Sequence, residues 1–212
     1  APPSFWYWHE AKPLDRSTRF FRVELELPGE VQSAPVFFAC DDRGIIRVNG
    51  TQLQKFQSWH AKRHNLAPLL KAGKNVISFE VYNGLPPAGV LFRGEILLKD
   101  GTVIPLASNG NIRSSAEAPE GWTLPEFDAS GWKMAEKIGP ADRKPWSELA
   151  DMTPFYAVER PVIDEKNLGR IPLDDFADIS SWLGGYGPGA RPGAAHPFSF
   201  SFGSVPDPRR ED

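Results

Sequence analysis

The sequence predicts an all-β protein, folded as an antiparallel β-sandwich, and three observations carry that expectation. Every regular segment is five to eleven residues long and is either alternating or rich in β-branched and aromatic residues. No stretch holds helical periodicity over three turns. The 212 residues include 21 Pro and 19 Gly, the punctuation that many short strands and tight turns require. Strands with one apolar face need a second sheet to cover it, so the expected arrangement is sheet on sheet.

In chain order, residues 1–18 are aromatic-rich and read as irregular, with Phe5-Trp6-Tyr7-Trp8-His9 at their centre. Four consecutive aromatics could form a sugar platform, but packing against a neighbouring domain is the plainer expectation. Arg19 to Leu27 alternates cleanly, with Phe21, Val23, Leu25 and Leu27 on one face and Arg22, Glu24 and Glu26 on the other. That is a half-buried antiparallel strand, stopped by Pro28-Gly29.

Val36 to Gly50 reads as a hairpin. The apolar run Val36–Cys40 and the run Ile45–Val48 flank a charged tip, Asp41-Asp42-Arg43-Gly44, and Asn49-Gly50 then signals a type I′ turn into a further strand. Thr51 to Asn65 is polar and irregular, and it holds Trp59, His60 and His64. Asn65 to Lys71 reads as one short helical turn with Asn65 as N-cap and Gly73 as the stop.

Asn75 to Tyr82 is the next strand, with Ile77, Phe79 and Val81 pointing one way. Asn83-Gly84 and Pro86-Pro87 form a loop, and Gly89 to Lys99 a further strand. Asp100-Gly101 turns that strand into Thr102 to Leu106. Asn111 to Ser114 pairs weakly, and Ala118 to Trp146 is loop-like, punctuated by Trp122, Trp132 and Trp146. Phe155 to Ile163 returns as a last strand. The expected domain division is a sandwich over 1–171, with its aromatic N-terminal segment, and a Gly/Pro-rich extension over 172–212. Within that extension Leu173 to Trp182 resembles the entry strand of a further module.

Net charge of −3 and a pI near 5.9 leave no basic footprint, so nucleic acid is not an expected partner. No window reaches the roughly 18 consecutive apolar residues of a membrane span. The chain opens Ala1-Pro2-Pro3 without Met, as a mature, signal-cleaved product or a trimmed chain would. Its single cysteine, Cys40, lies in an apolar strand and reads as a buried structural thiol rather than a nucleophile.

Three segments in fixed order carry a resemblance: ACDDRGIIRVNG, then NLAPLLKAGKNVISFEVYNGLPPAGVLFRGEILLKDG, then GWTLPEFDASGWKMAEKIGPADRKPW. Together they resemble the galactose-binding-like β-sandwich modules of bacterial glycoside hydrolases, of the type attached to α-L-rhamnosidase-like and β-galactosidase-like enzymes. The matching residues are Asp41, Asp42, Asn49 and Gly50 in an aspartate-led turn and the strand after it. Leu66, Leu70, Gly73, Lys74, Asn75 and Val76 match a leucine-rich turn and its strand. Phe127, Asp128, Ser130 and Trp132 match the closing segment. The resemblance spans residues 19–146 and implies a jelly-roll fold and an ancillary role beside a catalytic glycosidase domain or chain.

Candidate chemistry is sparse. Adjacent Asp41 and Asp42 could ligate calcium with backbone carbonyls, since that ion takes several hard oxygens at flexible geometry. The competing reading makes Asp42 a turn holder through backbone N–H groups. Trp59 beside His60 suits a pyranose, whose C–H face stacks while its hydroxyls hydrogen-bond, and Tyr82 and Asn83 could join them if the loops cluster. Trp59 could instead cap the core. His60 and His64 share a metal-like i, i+4 spacing, but on a segment that does not read as a helix, so zinc is not expected.

No nucleophile elbow, phosphate loop or zinc-protease motif is present, and no carboxylate pair sits in a recognisable catalytic setting. The expected function is a non-catalytic, structural and glycan-binding module of a secreted or periplasmic carbohydrate-active protein; no cofactor is expected, a structural calcium being the one candidate. The alternatives are a protein-interaction module that docks a catalytic chain, and a glycoside hydrolase in its own right.

Overall fold

The computed structural model describes residues 2–57 and 59–156. In chain order the strands are β1 (Phe5–Trp8), β2 (Ser17–Leu27), β3 (Val31–Ser33), β4 (Pro35–Asp41), β5 (Arg43–Val48), β6 (Thr51–Gln57) and β7 (Lys62–Asn65). There follow β8 (Gly73–Asn83), β9 (Gly89–Leu98), β10 (Val103–Ala107), β11 (Arg113–Ser115), β12 (Lys133–Met134) and β13 (Glu136–Pro140). Helix is limited to α1 (Trp146–Leu149) and two 3₁₀ turns, Ala67–Leu69 and Thr153–Phe155. The first sheet runs β13-β1-β9-β4-β7, with β3 and β10 also pairing with β9. The second runs β12-β11-β2-β8-β5-β6. All strand pairs are antiparallel, so the all-β sandwich expected from the alternation forms, and with it the jelly roll that the resemblance implies.

Alternation explains the core. β2 pairs with β8 along its whole length, Ser17 opposite Asn83 through Leu27 opposite Gly73. Phe21, Val23 and Leu27 of β2 and Ile77, Phe79 and Val81 of β8 are buried in one cluster with Val36, Phe38 and Cys40 of β4. Phe38 and Phe92 of the first sheet close on Phe79 of the second, with ring centroids 5.8 and 5.6 Å away. Aromatic pairs at such distances add about 0.5–1.5 kcal/mol beyond their buried area. Gly94 permits close packing of β9 on β4: a Cβ there would overlap the Pro35 carbonyl oxygen.

The 36–50 segment is not a hairpin. β4 lies in the first sheet between β9 and β7, whereas β5 lies in the second between β8 and β6. The chain crosses from one sheet to the other at Asp41-Asp42, whose peptide bond is cis. A two-residue hairpin turn needs positive φ, and no residue from 41 to 44 has it. Asn49 and Gly50 do, at 50° and 84°, and they join β5 to β6 as expected. The Asp100-Gly101 hairpin also forms, with Gly101 at φ 88° and the Asp100 carboxylate accepting the Thr102 N–H at 2.8 Å. The N-cap position of the short turn falls on Leu66 rather than Asn65, whose side-chain oxygen accepts the Ala67 and Ala34 N–H groups.

Other segments differ from expectation. Phe5–Trp8 is a strand, and Trp6, Tyr7 and Trp8 are buried in the sandwich rather than offered to another domain. Thr51–Asn65 contains β6 and β7, and the loop-like 118–146 stretch contains β12 and β13, the latter paired with β1. Phe155 ends a 3₁₀ turn instead of starting a strand, and residues 157–163 lie outside the described residues. So do the extension over 172–212 and its Leu173–Trp182 segment.

Both outward sheet faces carry aromatic covers. On the first, Trp6, Ala39 and Leu91 pack with Ala141, Trp146, Met152 and Phe155, and Trp6 stacks on Trp146 at 4.1 Å. On the second, Trp122, Ala129 and Trp132 pack with Phe20 and Phe127. Arg22, expected on the exposed face of β2, is 1% exposed. Its guanidinium donates to the carbonyl oxygens of Trp122, Leu124 and Phe127 and pairs with Glu24.

Candidate functional site

Strand ends place the candidate residues. β4 ends at Asp41 opposite Gly89, and β5 starts at Arg43 opposite Tyr82, so the sheet crossing meets the β8–β9 loop at one end of the sandwich. Asp41 is 4% exposed, and one of its carboxylate oxygens accepts the Trp146 indole N–H at 2.7 Å. Burial pushes its pKa up to about 7; the Trp146 bond works against that shift, and the adjacent Asp42 carboxyl adds to it.

Asp42 holds the neighbouring loop. Its Oδ2 accepts the Gly84 N–H at 2.6 Å, and its own N–H donates to the Tyr82 carbonyl at 3.0 Å. Asn83, between those two anchors, is fully buried. Its side-chain N–H donates to the Leu14 carbonyl at 2.8 Å, whereas its Oδ1 is buried without a hydrogen-bond partner among the described residues. Arg43 lies over the Tyr82 ring, 4.2 Å from the centroid. Cys40 is buried and its thiol is pushed far up by burial and by Asp41 and Asp42, which fits a structural thiol.

Trp59 and His60 follow β6, whose last residue, Gln57, pairs with Arg43. The segment therefore leaves the second sheet at the end that carries Tyr82 and Asn83. Trp59 is half-buried and packs on the cluster that contains Trp146, the partner of Asp41. His60 is exposed, its ring centroid 6.3 Å from that of Trp59. His64 is on β7, half-buried, its ring 6.3 Å from Phe38, and burial lowers its pKa. Asp41, Asp42, Tyr82 and Asn83 thus lie at one end of the sandwich but on different faces: Asp41 under the cover of the first sheet, Tyr82 outward on the second, and Asn83 in phase with the core-facing residues of β8. Trp59 packs on the Trp146 cluster. Sequence reading missed Trp146 as the partner of Asp41, 105 residues away, and Leu14 as the partner of Asn83. No local pattern marks either pair.

The donors at this end are hard oxygens. Two neighbouring carboxylates and a partnerless buried amide oxygen have the chemistry that calcium takes. No group of three or more His, Cys, Asp or Glu suited to a metal exists among the described residues. An ion here would therefore draw on amide or backbone oxygens as well as on Asp41 and Asp42.

No family model matches the chain. It is 25% identical over 162 residues to an α-L-rhamnosidase of Streptomyces avermitilis, covering 69% of this chain and 15% of that protein. The crystal structure of the S. avermitilis α-L-rhamnosidase complexed with L-rhamnose matches with a TM-score of 0.62 at 23% identity, over 69% of this chain and 16% of that one. The lectin from Pleurotus ostreatus in complex with GalNAc matches with a TM-score of 0.63 at 27% identity, over 68% of this chain and 46% of the lectin. The chain thus spans about 15% of the rhamnosidase and under half of the lectin. The resemblance carried by the three ordered motifs is borne out in the β-sandwich that these proteins share with it.

Proposed function

We propose that this chain is a non-catalytic, carbohydrate-binding module of a larger exported glycoside hydrolase, with its sugar site at the Asp41 end of the sandwich. The observation that carries the reading is the recurrence of one sandwich in a sugar-bound lectin and in a small share of a rhamnosidase. A fold that recurs in a lectin, and that fills only 16% of an enzyme chain, fits a binding attachment better than a catalytic core.

Asp41, Asp42 and the Asn83 Oδ1 would hold a calcium ion, and that ion would offer open coordination positions to sugar hydroxyls. Trp59 and His60 would flank the sugar, the indole supplying an apolar face and the imidazole a hydrogen-bonding edge. Tyr82 would border the site through its backbone bond to Asp42. The docking alternative loses its main support, because the aromatic N-terminus is consumed by the chain's own core.

Calorimetric titration of the chain with L-rhamnose and GalNAc, with calcium and after chelation, tests this reading. Calcium-dependent binding of either sugar, abolished by Asp41→Asn with Asp42→Asn, is the expected result. Flat titrations across a glycan array would leave only a scaffold role. Release of aryl from a panel of aryl-glycosides would instead make the chain an enzyme.

A further inference from the structure

Strand register arranges the outward side chains of the second sheet in rows. Thr18, Tyr82 and Arg43 stand side by side in the first, and Phe20, Glu80, Ile45 and Lys55 in the next. Arg22, Ser78 and Arg47 form a third. The aromatic cover reaches the second and third rows, with Trp122 edge-on to Phe20 at 5.3 Å and Arg47 6.0 Å from the Trp122 ring. Beyond its rim a groove of about 380 Å³ stays open, lined by Thr18, Arg43, Ile45, Lys55, Glu80 and Tyr82. That volume lies in the range of small-ligand sites.

The charges in this groove are unbalanced. Glu80 is engaged by Arg47 at 3.1 Å. Arg43 and Lys55, both exposed, have no ion pair among the described residues, on a chain whose net charge is −3. The Tyr82 ring holds the Arg43 guanidinium by a cation–π contact, which fixes its place and leaves its N–H edge for a ligand. A guanidinium so held matches a carboxylate in bidentate geometry, and an ammonium on the neighbouring strand adds a second, adaptable positive charge.

We propose that this groove, on the outward face of the second sheet beside the Asp41 end, is a second binding surface that takes an acidic saccharide through its carboxylates. Arg43 grips one carboxylate, Lys55 a neighbouring one, and the Thr18 hydroxyl and Glu80 meet sugar hydroxyls. The class of ligand rests on the carbohydrate reading above; the surface itself needs no calcium.

The test is binding of tetragalacturonate to the whole chain by calorimetry in chelator, with the neutral galactose tetramer and a poly-glutamate peptide as comparisons. Expected results are salt-sensitive binding of the acid, no binding of the neutral tetramer, and a loss of about tenfold for Arg43→Ala and again for Lys55→Ala, the scale of one charge-assisted hydrogen bond each. Tyr82→Phe should keep the affinity and Tyr82→Ala lose it. NMR shift changes on the unmodified chain should centre on residues 43–45, 55 and 80–82, which needs no variant to fold.

Equal binding of the neutral tetramer, insensitivity to both cations, or an affinity for poly-glutamate as high as for the acid would each overturn the proposal. The Asp41→Asn, Asp42→Asn variant separates the two sites. If it loses L-rhamnose or GalNAc but keeps tetragalacturonate, both readings stand. If the unmodified chain binds only the neutral sugars, this proposal alone falls, and if it binds only the acid, the calcium site alone falls.

Discussion

The two aromatic covers solve one problem in different ways. Each seals an outward sheet face that a sandwich would ordinarily leave to water. The cover of the first sheet is built on Trp6 and Trp146, both fully buried and stacked, with the Trp6 indole donating to the Ala141 carbonyl at 3.3 Å. The cover of the second sheet is shallower: Trp122 and Trp132 are each 9% exposed, and the segment is fastened by Arg22 through main-chain carbonyls. One cover is an extension of the core, whereas the other is a loop pinned by a buried cation. The first also reaches the candidate site through Asp41, and the second stops short and leaves a groove.

That contrast can be broken at its strongest point first. Trp146→Ala should cost about 3–5 kcal/mol, as for large aromatic truncations in cores, and should leave Asp41 buried without its donor. Chemical denaturation reads the loss. Trp146→Phe sharpens the result by keeping a ring for the stack while removing the N–H, and should cost about 1–3 kcal/mol. A Trp146→Ala chain as stable as the parent would mean that the first cover is no more part of the core than the second.

Arg22→Met should cost about 2–3 kcal/mol, because three carbonyls lose a charged donor in a site closed to water. Its effect should be partly local, with amide exchange rising over residues 119–132. Trp122→Ala is expected to cost about 1–2 kcal/mol and to raise exchange in the same segment with little change in β2 and β8. Uniform loss of protection across both sheets would show that the second cover folds as one unit with the core.

The smallest expected effect is electrostatic. His9 is half-buried and accepts or donates a 2.9 Å hydrogen bond with the Ser114 hydroxyl, and burial lowers its pKa below the usual value near 6.5. The folded state therefore favours the neutral ring. Its contribution is present above about pH 6.5 and is lost as pH falls through the lowered folded-state pKa. Buried Asp41, whose carboxyl is pushed up to about 7, gains stability over the same fall in pH, so the His9 part is read as the difference between the parent and His9→Gln in thermal unfolding between pH 7.5 and 5. An identical slope in the two chains would mean that His9 contributes nothing to it.

Local chemistry made much of the sandwich readable in advance. β2 alternates along one buried face, and Asn49-Gly50 and Asp100-Gly101 carry the turn residues that their backbone angles require. What escaped was everything that depends on a third layer. Phe5–Trp8 shows no alternation because the cover buries its outer side as the core buries its inner one, so a period of two cannot surface. Arg22 follows the alternation and yet is buried, because a loop a hundred residues later closes over it. The crossing at Asp41-Asp42 looks like a hairpin tip because an apolar run has the same pattern whichever sheet receives it. At the candidate site Asp41, Asp42, Tyr82 and Asn83 were nameable as residue types, but Trp146 and Leu14 join them only through the fold.

The Asn49-Gly50 turn has one more consequence. In a free chain this dipeptide is prone to deamidation: the Gly50 nitrogen attacks the Asn49 side-chain carbon, the amide nitrogen leaves as ammonia, and water opens the resulting succinimide to aspartate or isoaspartate. Here the Asn49 amide is clasped on both sides: its nitrogen donates to the Leu69 carbonyl and to the Asn75 side chain at 2.8 Å each, and its oxygen accepts the Val76 N–H at 2.9 Å. The attack requires the side chain to rotate out of all three bonds. Isoaspartate at position 49, measured by peptide mapping of aged protein, should therefore accumulate in proportion to the time this corner of the chain has spent open, a chemical clock written into the turn.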